Sequence, residues 1–423
     1  MNQSLKLSFI PQEHYSEYRY QTIFQAYKWD PQVGDHNTVA NQVLLMDPDT
    51  ANQLELWAEQ LSVETMRMEE AFLKKPYLAK KLGLPKKVLK ALDQISCPPS
   101  KMHIRHKLSS LPNYDKDQNI RLMRFDFHPT KDGWAISEVN SDVPGGLAEA
   151  SVLPQIASKY FDGYQARKNI AKSLYDSFQE KTSKEASIAF VHATSYADDR
   201  QVMEFLSDYF KEQGYQTVLT APDHISFKQG RAYCNIDGMA GPLDGITRFY
   251  PLEWLTNLPK SSDWRGYYTT ITPSCNHPIA IYTQSKRLPL VWEELGVDIP
   301  TWKELLPKTL DPKLVNPKDS NWIFKPALGR VGEGISIREA ITEKEGLRIE
   351  KLVGKQPEDW VAQKKFTSQP LINENGETYH LCVGVFTVDG KSAGFYGRIS
   401  PYARIDDRAK DIAILVKGGN EDE

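Results

Sequence analysis

Apolar and polar residues alternate most sharply at 120–126 and 134–140. Side chains in an extended chain alternate with a period of two, so Ile120, Leu122, Arg124 and Asp126 share one face. The same rule puts Trp134, Ile136, Glu138 and Asn140 on one face of a second strand. Between them, His128-Pro-Thr-Lys-Asp-Gly133 has the Pro, Asp and Gly of a reversal. This predicts a β-hairpin that brings Asp126 beside Glu138 and Asn140, with Arg124 one step along. Asp47-Pro-Asp-Thr-Ala predicts a helix start, acidic in its first turn. A helical stripe of Leu54, Leu56, Trp57, Leu61, Val63, Met66, Met68, Phe72 and Leu73 follows as far as Lys75. Helices are also predicted over Leu147–Phe161, Tyr164–Lys181, Asp198–Gln213 and Leu288–Leu295. Strands are predicted at Ser187–His192, Gln216–Thr220, Asp237–Asp244, Gly245–Tyr250 and Ile279–Tyr282. The strand–helix–strand unit from Ser187 to Thr220 predicts parallel pairing with a right-handed crossover. Tyr379–Val388 and Ser392–Arg398 flank Asp389-Gly390 as a second hairpin.

The first hairpin carries charge where its faces are otherwise apolar. Two carboxylates and an amide placed together repel and lose hydration unless something compensates. A hard divalent cation does so, and magnesium takes one or two carboxylates while completing its shell with water and phosphate oxygens. Arg124 is then a rigid fork for phosphate or carboxylate oxygens. A surface hairpin with an Arg–carboxylate pair and solvated acids has the same spacing, and both readings stand. In Trp322–Ile335 a strand bearing Lys325 leads into Gly329, Arg330, Gly332 and Gly334. The lysine precedes the glycines and no Gly-Lys-Ser/Thr follows, which excludes a Walker A loop. A glycine-rich hairpin lid over a nucleotide and a plain glycine-rich turn both fit. Gly145-Gly146 before a helix is either an anion-accepting N-terminus or an ordinary turn. His192 and His277 stand alone and read as structural.

Composition removes several classes. The chain has 423 residues, 52 Lys and Arg against 55 Asp and Glu, and a net charge of −3. No basic stripe points to nucleic acid, and the apolar runs are strand-sized, too short to span a bilayer. Met1–Pro11 lacks the pattern of a secretory signal. Cys97, Cys234, Cys275 and Cys382 are widely spaced thiols with no CxxC pair, so a cytoplasmic location without disulfides or zinc is expected. The acidic end, Gly418–Glu423, is expected to fray.

Three blocks in this order resemble the synthetase portion of the glutathionylspermidine synthase family, within the ATP-grasp superfamily. The family's Arg-x-Asp, Asp-Gly, Glu-x-Asn-x-Asp-x-Pro pattern is matched by Arg124, Asp126, Asp132-Gly133, Glu138, Asn140, Asp142 and Pro144. Its Ser-Asn-Lys element is echoed by Gln284-Ser285-Lys286-Arg287, and its Lys-Pro-x-x-Gly-Arg-x-Gly element is matched by Lys325-Pro326, Gly329-Arg330 and Gly332. Tyr250–Trp254, the strand with Gln363, and Gly397-Arg398 are weaker echoes. The resemblance implies an α/β fold of ATP-grasp type in permuted order. Its expected parts are a mainly helical N-terminal region (1–110), the hairpin and following helices (111–185), a parallel α/β pre-ATP-grasp-like domain (186–283) and a nucleotide-binding lid with the C-terminal part (284–423). It implies magnesium on Asp126, Glu138 and Asn140, and ATP on Lys286, Lys325, Gly329, Arg330, Gly332 and Gln363. Arg124 and Arg398 would stabilise the transferred phosphoryl group, and Ser141, Asp142 and Glu253 would lie on the substrate side. Asn140-Ser-Asp-Val-Pro-Gly-Gly departs from the family's Asn-Ala-Asp-Thr-Pro-Thr, where the acyl substrate would sit. No amidase half with a Cys/His pair is expected.

The implied activity is ATP-dependent amide formation between a small carboxylate and an amine, through an acyl phosphate. The partners expected are an amino acid, peptide or polyamine rather than nucleic acid or membrane, with a homodimer left open. Alternatives are a ligase of amino acids or peptides in a tailoring pathway, a phosphotransferase that stops at the phosphorylated acid, and a non-catalytic nucleotide-binding homologue.

Overall fold

The hairpin forms with the expected register. In the computed structural model Leu122–Thr130 pairs with Gly133–Asn140, placing Arg124 opposite Asn140 and Asp126 opposite Glu138. The model describes residues 4–29, 32–33, 36–95, 117–236, 238–330, 334–337 and 340–418. Cys97 with its 97–100 connection, Gly332, and the end of the acidic tail lie outside the described residues. The reversal is tighter than the sequence suggests, with Thr130 already opposite Gly133. One feature escapes the alternation rule. After Asp126–Glu138 the next pair is Phe127–Ile136, so Ser137 is an extra residue, a β-bulge. The bulge turns Trp134 and Ile136 to the face of Phe125, Phe127 and Val139, in the core, and leaves Glu138 and Asn140 on the opposite face with Arg124 and Asp126. The expected single face of Trp134, Ile136, Glu138 and Asn140 is thus split.

This hairpin is one edge of a mixed sheet of nine strands. Its main path runs Leu5–Phe9, Val39–Met46, Lys410–Lys417, Lys391–Ser400, Thr378–Val388, Leu122–Thr130, Gly133–Asn140. The N-terminal part therefore supplies strands as well as the helices Gln12–Gln25, Pro48–Lys74 and Lys86–Ile95. Val39–Met46 is buried at all but one position, like a strand covered on both faces, and its near-continuous apolar run hides the period of two. Asp47 caps the helix Pro48–Lys74 by accepting from the Thr50 N–H at 2.9 Å. That helix packs on the sheet, with Trp57 stacked near Phe127, while Leu56 and Val63 of the expected stripe are exposed. Glu64 and Glu69 are buried in their stead. Glu64 accepts from the backbone N–H groups of Thr301 and Trp302, at the start of the helix Pro300–Leu305.

A second sheet is fully parallel, in the order Ser274–Cys275, Gly245–Phe249, Ser187–His192, Gln216–Thr220, with helix Ala197–Glu212 as its crossover. Gly241–Pro242 pairs instead in a small meander with Ile225–Lys228 and Arg231–Cys234. A third sheet joins Thr309–Leu310, Trp360–Lys364 and Trp322–Pro326. The stretch expected as strand Ile279–Tyr282 is the start of the helix Ala280–Gln284, all five residues of which are buried. A short run that is apolar all round carries no period from which to choose. The second expected helix begins at Ile170, capped by Asn169, because Tyr164–Gln165 pairs with Lys410–Lys417. Leu288–Val291 is a 3-10 turn before the short helix Trp292–Leu295.

Buried polar groups fix the two ends of the hairpin. Arg121 forms a double contact with Glu69, Nη2–Oε1 2.6 Å and Nε–Oε2 3.1 Å, and donates to the Ser141 carbonyl at 2.6 Å. Asn276 accepts from the Leu122 N–H at 2.7 Å and donates to the carbonyls of Leu122 and Asp142, both at 2.8 Å. Gln284 Oε1 accepts from the Ser141 and Asp142 N–H groups. Substituting Arg121→Met strands the Glu69 carboxylate in the interior, and is expected to lower stability by about 3–5 kcal/mol. Urea unfolding checks this through the midpoint at constant slope; a loss below about 1 kcal/mol would mean that the pair does not hold the hairpin.

Candidate active site

On the polar face of the hairpin, Arg124 grips Asp126 with both prongs, Nε–Oδ1 2.7 Å and Nη2–Oδ2 2.9 Å. Its remaining prong donates to the Gly145 carbonyl, and the guanidinium lies 4.9 Å from the Tyr396 ring centre. Asn140 Nδ2 donates to Asp126 Oδ2 at 3.0 Å. Two glycines admit this arrangement. A Cβ on Gly384, opposite Asp126 on the next strand, would stand 2.7 Å from the Arg124 side chain. Gly146, at φ 87°, would put its Cβ 2.7 Å from the Tyr396 ring.

The facing wall is the third sheet and the segment before it. Lys325 and Gln363 share a face there, because Lys325 opposes Val361 and Ile323 opposes Gln363. Lys325 Nζ donates to the Ser137 carbonyl at 3.0 Å, the carbonyl that the bulge presents. Lys286 Nζ bridges Glu138 Oε2 at 2.8 Å and the Gly329 carbonyl at 2.6 Å, while its backbone N–H donates to Ala327. Burial raises the Glu138 carboxyl, but Lys286 and Lys325 outweigh it and bring it down to about 2. Burial, with help from Lys286, brings the Lys325 ammonium down to about 8 against the pull of Glu138. Burial also lowers His128 to about 4, a neutral ring set between the Leu381 carbonyl and the Ser137 hydroxyl.

The other expected residues fall around this cleft. Ser141 and Asp142 are fully buried. Asp142 Oδ1 meets Arg248, and Oδ2 accepts from the Leu252 N–H at 2.8 Å. Burial raises the Asp142 carboxyl, and Arg248 more than reverses this. Arg330 donates to Glu253 Oε1 at 2.8 Å, leaving Arg330 Nε and Glu253 Oε2 buried without partners. Gln363 is 4% exposed, donates to Thr309 at 3.2 Å, and keeps its Oε1 without a partner. Arg398 stands on the polar face of the sheet two strands from Asp126, donating to the Asp406 carbonyl at 2.6 Å, with Nε unpartnered. The glycine-rich segment does not return as a paired strand among the described residues. Ser336 bonds to Phe324 through backbone and hydroxyl, and Trp322–Pro326 pairs with Trp360–Lys364.

Sequence reasoning missed several charged neighbours. Tyr396 donates to Asp411 Oδ1 at 2.6 Å, and Lys28 bridges Asp411 and Glu149 at 2.9 and 2.8 Å. Arg287, named above only as part of the Gln284–Arg287 run, ties Lys81, Asp311, Pro357 and Trp360 together behind the third sheet. Arg248 was hidden because it lies on a strand otherwise read as apolar. The only local signal was Tyr396, two residues from Arg398. The donor set Asp126, Glu138 and Asn140 fits a hard cation: two carboxylates and an amide oxygen on one face, with Asn140 using only its nitrogen toward Asp126. Among the described residues no group of three His, Cys, Asp or Glu is arranged to hold a metal. The unpartnered Gln363 Oε1 fits an amino group of a base, and the lysines fit phosphate.

A family model described as glutathionylspermidine synthase pre-ATP-grasp matches residues 12–416. A protein of Haemophilus influenzae named "Putative acid--amine ligase" is 25% identical over 221 residues. That match spans 50% of this chain and 54% of the relative, so the chain matches about half of the relative's length. The solved structure of a glutathione synthetase like-effector from Globodera pallida superposes with a TM-score of 0.63 over 96% of each chain, at 10% identity, a likeness of fold. No described helix is long and apolar enough to cross a membrane.

Lys325 loses its proton as the pH rises through about 8, removing a charge from the wall that faces the hairpin. The affinity for MgATP is therefore expected to fall above that pH, by up to about tenfold per unit. Lys325→Arg, which stays charged, should abolish the fall in a calorimetric titration; an unchanged pH profile in that variant would assign the fall elsewhere.

Proposed function

This chain belongs to the glutathionylspermidine synthase pre-ATP-grasp family, and from that premise we propose that it joins a carboxylate to an amine, driven by ATP. The observation that carries the proposal is the pairing of two walls. Arg124, Asp126, Glu138 and Asn140 stand on one, Lys325, Lys286 and the unpartnered Gln363 on the other, and Lys286 touches Glu138 across the gap. The fold is read as ATP-grasp in permuted order, with the hairpin preceding the lysines. In this reading residues 186–283 serve as its pre-ATP-grasp-like part and 284–423 as its nucleotide side, while the chain before them contributes the helix Pro48–Lys74 and the hairpin.

In this reading Gln363 receives the base, and Lys286 and Lys325 exchange Glu138 and the Ser137 carbonyl for phosphate oxygens. Magnesium, when held by Asp126, Glu138 and Asn140, supplies neutralisation of triphosphate charge. A substrate carboxylate oxygen attacks the γ-phosphorus, and the bond to the β-bridging oxygen breaks as ADP leaves. The amine, as its free base, attacks the acyl carbon, the bond to the phosphate oxygen breaks, and the departing phosphate takes the surplus N–H proton as the amide forms. Arg124 and Arg398 stabilise charge on the phosphoryl oxygens, and closure excludes the water that would hydrolyse the acyl phosphate. On the substrate side Ser141 and Asp142 hold the chain in place, while Glu253 Oε2 and Arg330 Nε are the groups with capacity left to meet substrate.

Phosphate release from MgATP against a panel of amino acids, small peptides and polyamines tests the proposal. Release that requires both an acid and an amine is expected, with losses on the order of 10²-fold or more in Asp126→Asn and Lys325→Ala. Binding of MgATP without turnover across a broad panel would point to a nucleotide-binding homologue, and failure to bind MgATP would overturn the nucleotide site itself.

A further inference from the structure

A second cavity, of about 570 Å³, lies away from the cleft, between the helix Lys86–Ile95 and the segment that follows the short helix Leu252–Leu255. Its lining is Lys87, Lys90, Ala91, Thr256, Leu258, Lys260, Trp264 and Arg265, four cations with no carboxylate among them. That composition is unusual for a chain whose overall charge is −3. Like charges gathered in one concavity repel, and their potential is focused by the low-dielectric wall behind them. Two of them are already oriented. Lys87 Nζ donates to the Thr256 carbonyl at 2.9 Å, which leaves two ammonium hydrogens for another acceptor. The Arg265 guanidinium lies 4.5 Å from the Trp264 ring centre, so its edge stays free for a fork contact. The floor is apolar: Ala91 and Trp264 are buried, and Leu258 is half-buried.

Its neighbour carries no cation. A cavity of about 410 Å³ at the carboxyl ends of the parallel strands is lined by Thr194, Tyr196, Asp223, Tyr250 and Trp254, and the two cavities share Leu258. Of the two, only the basic one offers cations to an anion. The volume suits a small molecule, while an apolar floor gives inorganic phosphate alone little to bury.

We propose that this basic cavity is a binding site for a small organic phosphate, whose anionic group meets Lys87, Lys90, Lys260 and Arg265 while its apolar body covers Ala91, Leu258 and Trp264. The site stands apart from the nucleotide cleft but touches the same short segment. Thr256 lines it and donates its hydroxyl to the Glu253 carbonyl, and Glu253 is the residue that holds Arg330.

Titration of the full chain with phenyl phosphate, by calorimetry in the absence of nucleotide and magnesium, tests the proposal independently of ligase activity. Saturable binding is expected, weaker for inorganic phosphate and absent for benzyl alcohol. The Lys90→Ala/Lys260→Ala variant should weaken it by about tenfold or more, Lys90→Arg/Lys260→Arg should retain it, and Lys325→Ala should leave it unchanged. Lys90 and Lys260 are surface side chains and Lys325 is buried, so folding is checked by circular dichroism alongside. Absence of saturable binding, equal binding of benzyl alcohol, or loss in Lys325→Ala with none in the double alanine variant would each overturn it. Loss of MgATP turnover with phenyl phosphate binding intact would fault the ligase reading and leave this site standing.

Discussion

The buried contact of Arg121 with Glu69 is the constraint on which the site depends. A charge pair in the interior is favourable only if its remaining hydrogen-bonding capacity is met. Here that need is met by the Ser141 carbonyl and hydroxyl and by Thr283. The consequence is mechanical. The start of one hairpin strand and the end of the other are fastened to a long helix, to Asn276 and to the helix Ala280–Gln284 at once. The hairpin cannot slip in register without stranding a buried charge, so Asp126 stays opposite Glu138.

The bulge at Ser137 does the remaining positioning. Without it Ile136 and Glu138 would point the same way, and either an acid would enter the core or an isoleucine would enter the cleft. With it, the core keeps Ile136, the cleft keeps Glu138, and the displaced Ser137 carbonyl is offered to Lys325. One extra residue thus sorts the hairpin and gives the facing lysine an anchor.

Charge in the cleft is balanced in pairs that a ligand can replace. Arg124 sits on Asp126, Lys286 on Glu138, and Arg330 on Glu253. Against burial, Lys286 and Lys325 hold the Glu138 carboxyl well below its ordinary range, and each of the three cations lies against an acid on the walls of the cleft. In the proposed function triphosphate would offer the lysines an alternative anion, and a divalent cation would offer the acids an alternative charge. Gln363 Oε1, Arg330 Nε and Glu253 Oε2 are buried polar atoms whose hydrogen-bonding capacity the chain itself does not meet.

Much of this was legible in the chain. Alternation between Ile120 and Asp126, the Asp-Gly turn and the spacing of Glu138 and Asn140 pointed to a hairpin carrying two acids and an amide, but the period of two alone put Trp134 and Ile136 on the same face as Glu138 and Asn140, which the bulge splits. The parallel unit from Ser187 to Thr220 followed from its apolar run, its crossover helix and the second strand. Local rules failed where burial was complete or the partner was remote. Val39–Met46 and Ala280–Gln284 are buried almost throughout, so only their neighbours decide between strand, helix and edge. Arg248, Tyr396, Asp411 and Lys28 are ordinary residues until the sheets bring them together from distant parts of the chain. The sequence by itself determined which groups could carry chemistry; the tertiary structure alone decided which of them face one another, because that depends on a bulge and on buried contacts between residues far apart in the chain.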